Sequence, residues 1–109
     1  MKNERIYLEQ IIDCIDKVRD FTKGMNYEQF SDDQKTQSAV IMQLTLMGEL
    51  AKKISSDTRS QITIPWKEIS GFRDRAVHDC YEIDLSIVWQ TILDDLSVLR
   101  KEVKIYLSS

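Results

Sequence analysis

In the run GFRDRAVHDCY, Gly71 to Tyr81, two arginines, two aspartates, a cysteine and a tyrosine surround the only histidine of the chain, His78. These residue types suit chemistry on a phosphodiester. An imidazole can take the proton of a ribose 2′-hydroxyl or give one to a departing 5′-oxygen, and a guanidinium such as that of Arg73 can neutralise the non-bridging oxygens as charge builds on phosphorus. Helix geometry limits how they meet. At about 100° per residue, Arg73 and His78 lie roughly 140° apart and cannot share a face of one unbroken helix. They can meet if the helix ends near His78, or if symmetry brings in the motif of a second subunit. Asp74 and His78 are four apart and can meet directly, the carboxylate fixing the imidazole tautomer and favouring its protonated form. General acid–base action contributes about 10²–10⁴-fold, so one histidine gives a modest catalyst and two paired motifs give both an acid and a base. The residues alone leave a second reading open, a surface histidine or helix-end cation, and by themselves they favour it.

The rest of the composition removes other chemistries. Two cysteines and one histidine, scattered along the chain, cannot make a three- or four-ligand zinc site, and no clustered acidic motif suggests magnesium, so neither metal nor cofactor is expected. No glycine-rich phosphate loop and no Gly-x-Ser-x-Gly occurs. A net charge of −3 gives no global field for nucleic acid, so RNA binding would need a local basic patch. No apolar run is long enough to span a membrane, the N-terminus reads as no signal peptide, and Cys14 and Cys80 form no disulfide scaffold. A reducing cytoplasm is the expected compartment.

The elements that must position the motif are helical. With 109 residues, three glycines and one proline, the chain is expected to be a single domain over 1–109 and not an all-β fold. Tyr7, Ile11, Cys14, Val18 and Phe21 form one stripe of a first helix over about Glu4–Lys23, and Leu8, Ile12 and Ile15 form a second; Gly24 stops it. "MNYEQF" reads as a connection, and Ser31 with Gln34 reads as a capping box opening a second helix to about Ser55. Its stripe is Val40, Leu44, Met47, Ala51 and Ile54, widened by Ile41, Met42, Leu46 and Leu50, with Met42 and Met47 filling core space. Residues 55–62 read as a loop. Pro65 opens a short third helix with Trp66, Ile69 and Phe72 on its buried side. Asp84 caps a fourth, whose stripe is Leu85, Val88, Ile92, Leu96, Leu99, Val103 and Tyr106, and Trp66 and Trp89 are expected core anchors. The pattern predicts an all-α antiparallel bundle of four to five helices. Apolar stripes of double width on the first two helices predict that it pairs as a homodimer.

The order "YLEQIIDCIDKV", "MGELAKKIS", "IPWKEISGFRDRAVHD" and "IDLSIVWQTILDDL" resembles the HepT-like branch of the HEPN proteins over nearly the whole chain. Arg-x4-His alone is a weak pattern; between Pro-Trp-x-x-Ile-x-Gly and Ile-Asp-x-x-x-Val-Trp it is a strong one. The resemblance implies a HEPN-like bundle that dimerises with the two motifs facing across the interface. It implies a metal-independent endoribonuclease acting on RNA as the toxin of a toxin–antitoxin pair, whose nucleotidyltransferase antitoxin adds AMP to a tyrosine near the motif. On that alignment Arg73 and His78 take the catalytic positions, Asp74 the polar position after the arginine, and Arg75 is a candidate phosphate contact. The family's usual continuation is His-x-Tyr; here Cys80 stands at that place, and Tyr81, the candidate AMP acceptor, comes one position later. A different class of reading stays beside it: a non-catalytic HEPN module that binds RNA or nucleotide, or serves only as the partner of a nucleotidyltransferase.

Overall fold

Apolar residues recurring every three or four positions build two long helices, α1 over Glu4–Thr22 and α3 over Gln34–Lys52, and these pack face to face. The computed structural model describes residues 4–71 and 84–109. Among them there are helices and no strands, so the chain is all-α as the periodicity predicts. Leu8, Ile11, Ile15 and Val18 of α1 meet Val40, Leu44 and Met47 of α3 in one core. Each such side chain, taken fully out of water, contributes about 1.5–3 kcal/mol. α1 closes as predicted at Gly24, whose φ of 78° lies in the left-handed region that glycine enters without a Cβ clash. Glu4, at the start of α1, accepts hydrogen bonds from the Ser55 amide, the Ser55 hydroxyl and the Thr58 hydroxyl just beyond the end of α3. The two helices therefore run antiparallel.

Two connections are themselves short helices, which corrects the sequence reading. "MNYEQF" is not a plain link, because Tyr27–Ser31 forms α2 under a capping box made by Asn26 and Gln29. The Gln29 amide donates to Asn26 Oδ1 at 2.8 Å, and the Asn26 amide donates to Gln29 Oε1 at 2.9 Å. Ser31 does not cap α3; it ends α2, with its hydroxyl donating to the Glu28 carbonyl. Asp33 caps α3 instead, accepting from the Thr36 amide and hydroxyl. Residues 55–62, read as a loop, contain α4 over Ser56–Ser60, capped by the Ser55 hydroxyl. Met42 and Leu46 do not widen the core: they are exposed, as is Phe21 on α1, while Met47 is buried.

The third layer comes from the C-terminal third of the chain. After α5, whose described part is residues 66–71, come α6 over Leu85–Gln90, a π-helical turn over Thr91–Asp95, and α7 over Leu96–Ser108. α7 lies antiparallel to α1: the Arg100 guanidinium donates to Asp16 at 2.7 Å, and Arg5 donates to the Leu107 carbonyl. The predicted stripe is buried at Val88, Leu96, Leu99 and Val103 and packs half-buried at Leu85, Ile92 and Tyr106. The π turn, unforeseen, explains how. Eight α-helical residues from Val88 to Leu96 would overshoot two turns by about 80°. In the π turn the Leu96 amide donates to the Thr91 carbonyl five residues back, which lengthens that turn and holds Val88 and Leu96 on one buried face.

Candidate functional site

Arg73, Asp74, Arg75, His78 and Tyr81, the residues singled out by type and spacing, lie outside the described residues, as do Phe72 and Cys80. What the structure places is the frame on either side of them: α5 leading in, and Asp84 with α6 leading out. The other three tyrosines sit in separate elements, Tyr7 in α1, Tyr27 in α2 and Tyr106 in α7.

The upstream frame is fixed through Trp66. Pro65 supplies the first carbonyl of α5, and the Ile69 amide donates to it at 3.1 Å, so the ring sits where its missing N–H leaves no vacancy. The Trp66 indole N–H is shared between the carbonyls of Arg59 and Ile62, 3.1 Å from each. The Arg59 guanidinium lies 5.8 Å from the indole centroid and donates to the Ala51 carbonyl at 2.7 Å. A continuous chain of contacts thus runs from the last turn of α3 through Arg59 of α4 to Trp66 and the helix entering the motif. Arg59 as a brace is a role the sequence reading missed, because it took this segment for a loop. The signal was there: Ser55, with Thr58 three positions on, is an N-cap pattern ahead of Arg59.

The downstream frame is fixed through Asp84 and Trp89. The Asp84 carboxylate accepts from the Ser86 hydroxyl at 2.6 Å and the Ser86 amide at 2.9 Å, which holds its pKa below the ordinary carboxylate value, the hydroxyl contributing most. As predicted, it caps the helix after the motif. Trp89 packs on Phe30 of α2 with centroids 5.1 Å apart and reaches Tyr27 at 6.4 Å. Both tryptophans are half-buried against the core, so an indole anchors each of the two helices that flank residues 72–83.

Between α5 and the α6–α7 rod lies a cavity of about 340 Å³ floored by α3. Among the described residues its lining is mainly apolar, including Leu44, Met47, Ile69 and Leu99, with carboxylates at Glu68 and Asp95. That composition suits an aliphatic or aromatic side chain and repels a phosphate. Among the described residues no three His, Cys, Asp or Glu side chains group as metal ligands, and no helix is long and apolar enough to cross a membrane.

A family model described as Ribonuclease HepT-like matches residues 11–105. The chain is 35% identical over 100 residues to a protein of Thermococcus cleftensis named "Probable ribonuclease HepT", covering 91% of each chain. It is 34% identical over 105 residues to a protein of Caldanaerobacter subterraneus carrying an RNase name, covering 95% of this chain and 94% of the relative. A third relative with an RNase name, from Methanocaldococcus jannaschii, is 34% identical over 99 residues, covering 90% and 82%. No solved structure matches.

Proposed function

The chain belongs to the ribonuclease HepT-like family, and from that premise we propose that it is an endoribonuclease that cleaves RNA without a metal, using Arg73 and His78. The observation that carries this reading is the end-to-end match over residues 11–105, which takes in the whole motif, to proteins whose names are those of ribonucleases. The frame described above is consistent with it: a twelve-residue segment carrying the motif is held between two helices that are each locked to the core.

In the proposed reaction a neutral His78 imidazole takes the 2′-hydroxyl proton, the 2′-oxygen attacks phosphorus, and the bond to the 5′-oxygen breaks. A protonated imidazole returns a proton to that oxygen, leaving a 2′,3′-cyclic phosphate and a 5′-hydroxyl. Arg73 stabilises the charge on the non-bridging oxygens, with Arg75 as a second phosphate contact, and Asp74 orients His78. One histidine per chain makes a homodimer the natural source of separate acid and base. Ile87 and Val98, exposed at the rim of the apolar cavity, and Leu93, exposed on the same α6–α7 rod, are surface that a second copy would cover.

Arg73→Ala and His78→Ala should each remove cleavage, the histidine change by at least about 10²-fold, while leaving the far-ultraviolet circular dichroism unchanged. Activity should persist in EDTA and the products should carry cyclic phosphate ends; full activity of the His78 variant, or loss on chelation, would rule out the mechanism. A toxin role with a nucleotidyltransferase antitoxin completes the proposal. AMP on Tyr81 would place a phosphate close in sequence to Arg73 and Arg75, competing with the RNA backbone for the same guanidinium groups. Intact-mass analysis after co-expression with a neighbouring nucleotidyltransferase tests this, and AMP mapped to another residue would refute the assignment.

A further inference from the structure

The bundle carries a basic groove that the motif does not account for. Where α7 lies along α1, Arg19, Arg100, Lys101 and Lys104 line an open groove of about 560 Å³, together with the hydroxyls of Ser97 and Ser108. Among the described residues no acidic side chain lines it. In a chain of 15 basic and 18 acidic residues, four cations around one groove are a local reversal of the net charge. Arg100 is partly neutralised by its bond to Asp16, whose carboxylate also feels the charges of Arg19 and Lys104, so one carboxylate stands beside four cations. Ser97, Lys101, Lys104 and Ser108 follow one another at steps of four, three and four, so two ammonium groups lie between two hydroxyls along one stripe of α7. That stripe extends about 16 Å along the helix axis.

We propose that this groove is a second contact for the RNA substrate, binding its sugar–phosphate backbone. It rests on the ribonuclease reading above. Ammonium, guanidinium and hydroxyl groups in a row are the donor set that phosphates take, and they carry no base-reading function, so the contact adds affinity without sequence preference. The groove is open along its length, and among the described residues Ile105 is its one apolar side chain beside four cations and three serines, which fits a flexible polyanion better than a folded protein partner.

The test uses the full chain and a fluorescein-labelled 2′-O-methyl oligonucleotide, which has no 2′-nucleophile and so reports binding apart from cleavage. Fluorescence anisotropy across a salt series is measured for the native protein, for Lys101→Ala/Lys104→Ala, and for Lys35→Ala, an exposed lysine on α3 that does not line the groove. The double variant should lose about 1.4 from the magnitude of the log Kd against log salt slope, two contacts at about 0.7 each. In cleavage of unmodified RNA its KM should rise with kcat held, and Lys35→Ala should behave as native. An unchanged slope and Kd in the double variant, no binding by the native chain, or an equal loss in Lys35→Ala would overturn the groove. Lysine-dependent binding in a native protein that never cleaves RNA would instead sink the ribonuclease reading and leave the groove standing.

Discussion

Replacing Trp66 by Phe isolates the brace on which the approach to the motif depends. The substitution keeps the aromatic bulk packed against the core and removes the indole N–H, shared between the carbonyls of Arg59 and Ile62 at 3.1 Å each. Neither carbonyl is orphaned, because the Ile62 amide still donates to Arg59 and the Ile64 amide to Ile62. The loss is therefore one net hydrogen bond, about 1 kcal/mol, and not the larger penalty of a stranded buried acceptor. Arg59 remains tied to the Ala51 carbonyl, so its stacking on a smaller ring weakens but is not abolished, adding about 0.5 kcal/mol. The sum is about 1–2 kcal/mol, or roughly 4–8 °C in Tm per kcal/mol for a domain near this size. Urea denaturation at fixed protein concentration reads it, with the midpoint lowered and the m value unchanged. Any cleavage deficit should appear in kcat, since the indole positions the motif's helix and is not argued to touch RNA. No loss, or a loss above about 3 kcal/mol, would mean the shared N–H and cation–π contacts do not describe how α5 is held.

Two further outcomes follow from the rest of the fold. Deleting Leu93, an exposed residue of the π turn, should cost little more than Leu93→Ala, because removing the extra residue converts the turn to α-helix and leaves Val88 and Leu96 seven residues apart, about 700° and so within about 20° of two full turns; a thermal midpoint far lower for the deletion than for Leu93→Ala would refute the register argument. The carboxyls of Glu4, Asp16, Asp33 and Asp84 are all held below their ordinary values, by the Thr58 hydroxyl, the Arg100 guanidinium, the Thr36 hydroxyl and the Ser86 hydroxyl respectively. A depressed carboxyl contributes stability that is present above its unfolded value, 4.5 for Glu and 3.8 for Asp, and is lost as pH falls through the lower folded value. The denaturation midpoint should therefore be flat from neutrality to about pH 5 and fall below it, and a constant midpoint to pH 3 would contradict these four contacts.

The long helices were legible because each repeats its apolar spacing over nineteen residues, enough turns for one phase to dominate. α2 and α4 were not, since five residues make little more than one turn and carry no stripe of their own. Around α2 the sequence offers three overlapping cap patterns, opened by Asn26, Ser31 and Asp33, and local pattern alone does not rank them. The structure uses Asn26 and Asp33, which leaves Ser31 inside α2 with its hydroxyl donating backwards to Glu28. The π turn was hidden for a related reason: two steps of four from Val88 through Ile92 to Leu96 read as an unbroken helix, and only the burial of both ends demands the extra residue. The motif could be named from residue types, but the role proposed for it rests on the company it keeps across the chain and not on the local spacing of Arg73 and His78.

Charge shows the same division between local and tertiary information most sharply. A net of −3 argues against nucleic acid when it is read as a sum. Arg19 and the Lys101–Lys104 pair are some eighty residues apart, so no window along the chain shows them together. They meet because the apolar stripes of α1 and α7 force those helices antiparallel, with Asp16 and Arg100 pinning the register. The stripe that builds the core therefore also decides which exposed residues become neighbours on the opposite faces, and a basic groove emerges on an acidic protein as a consequence of packing.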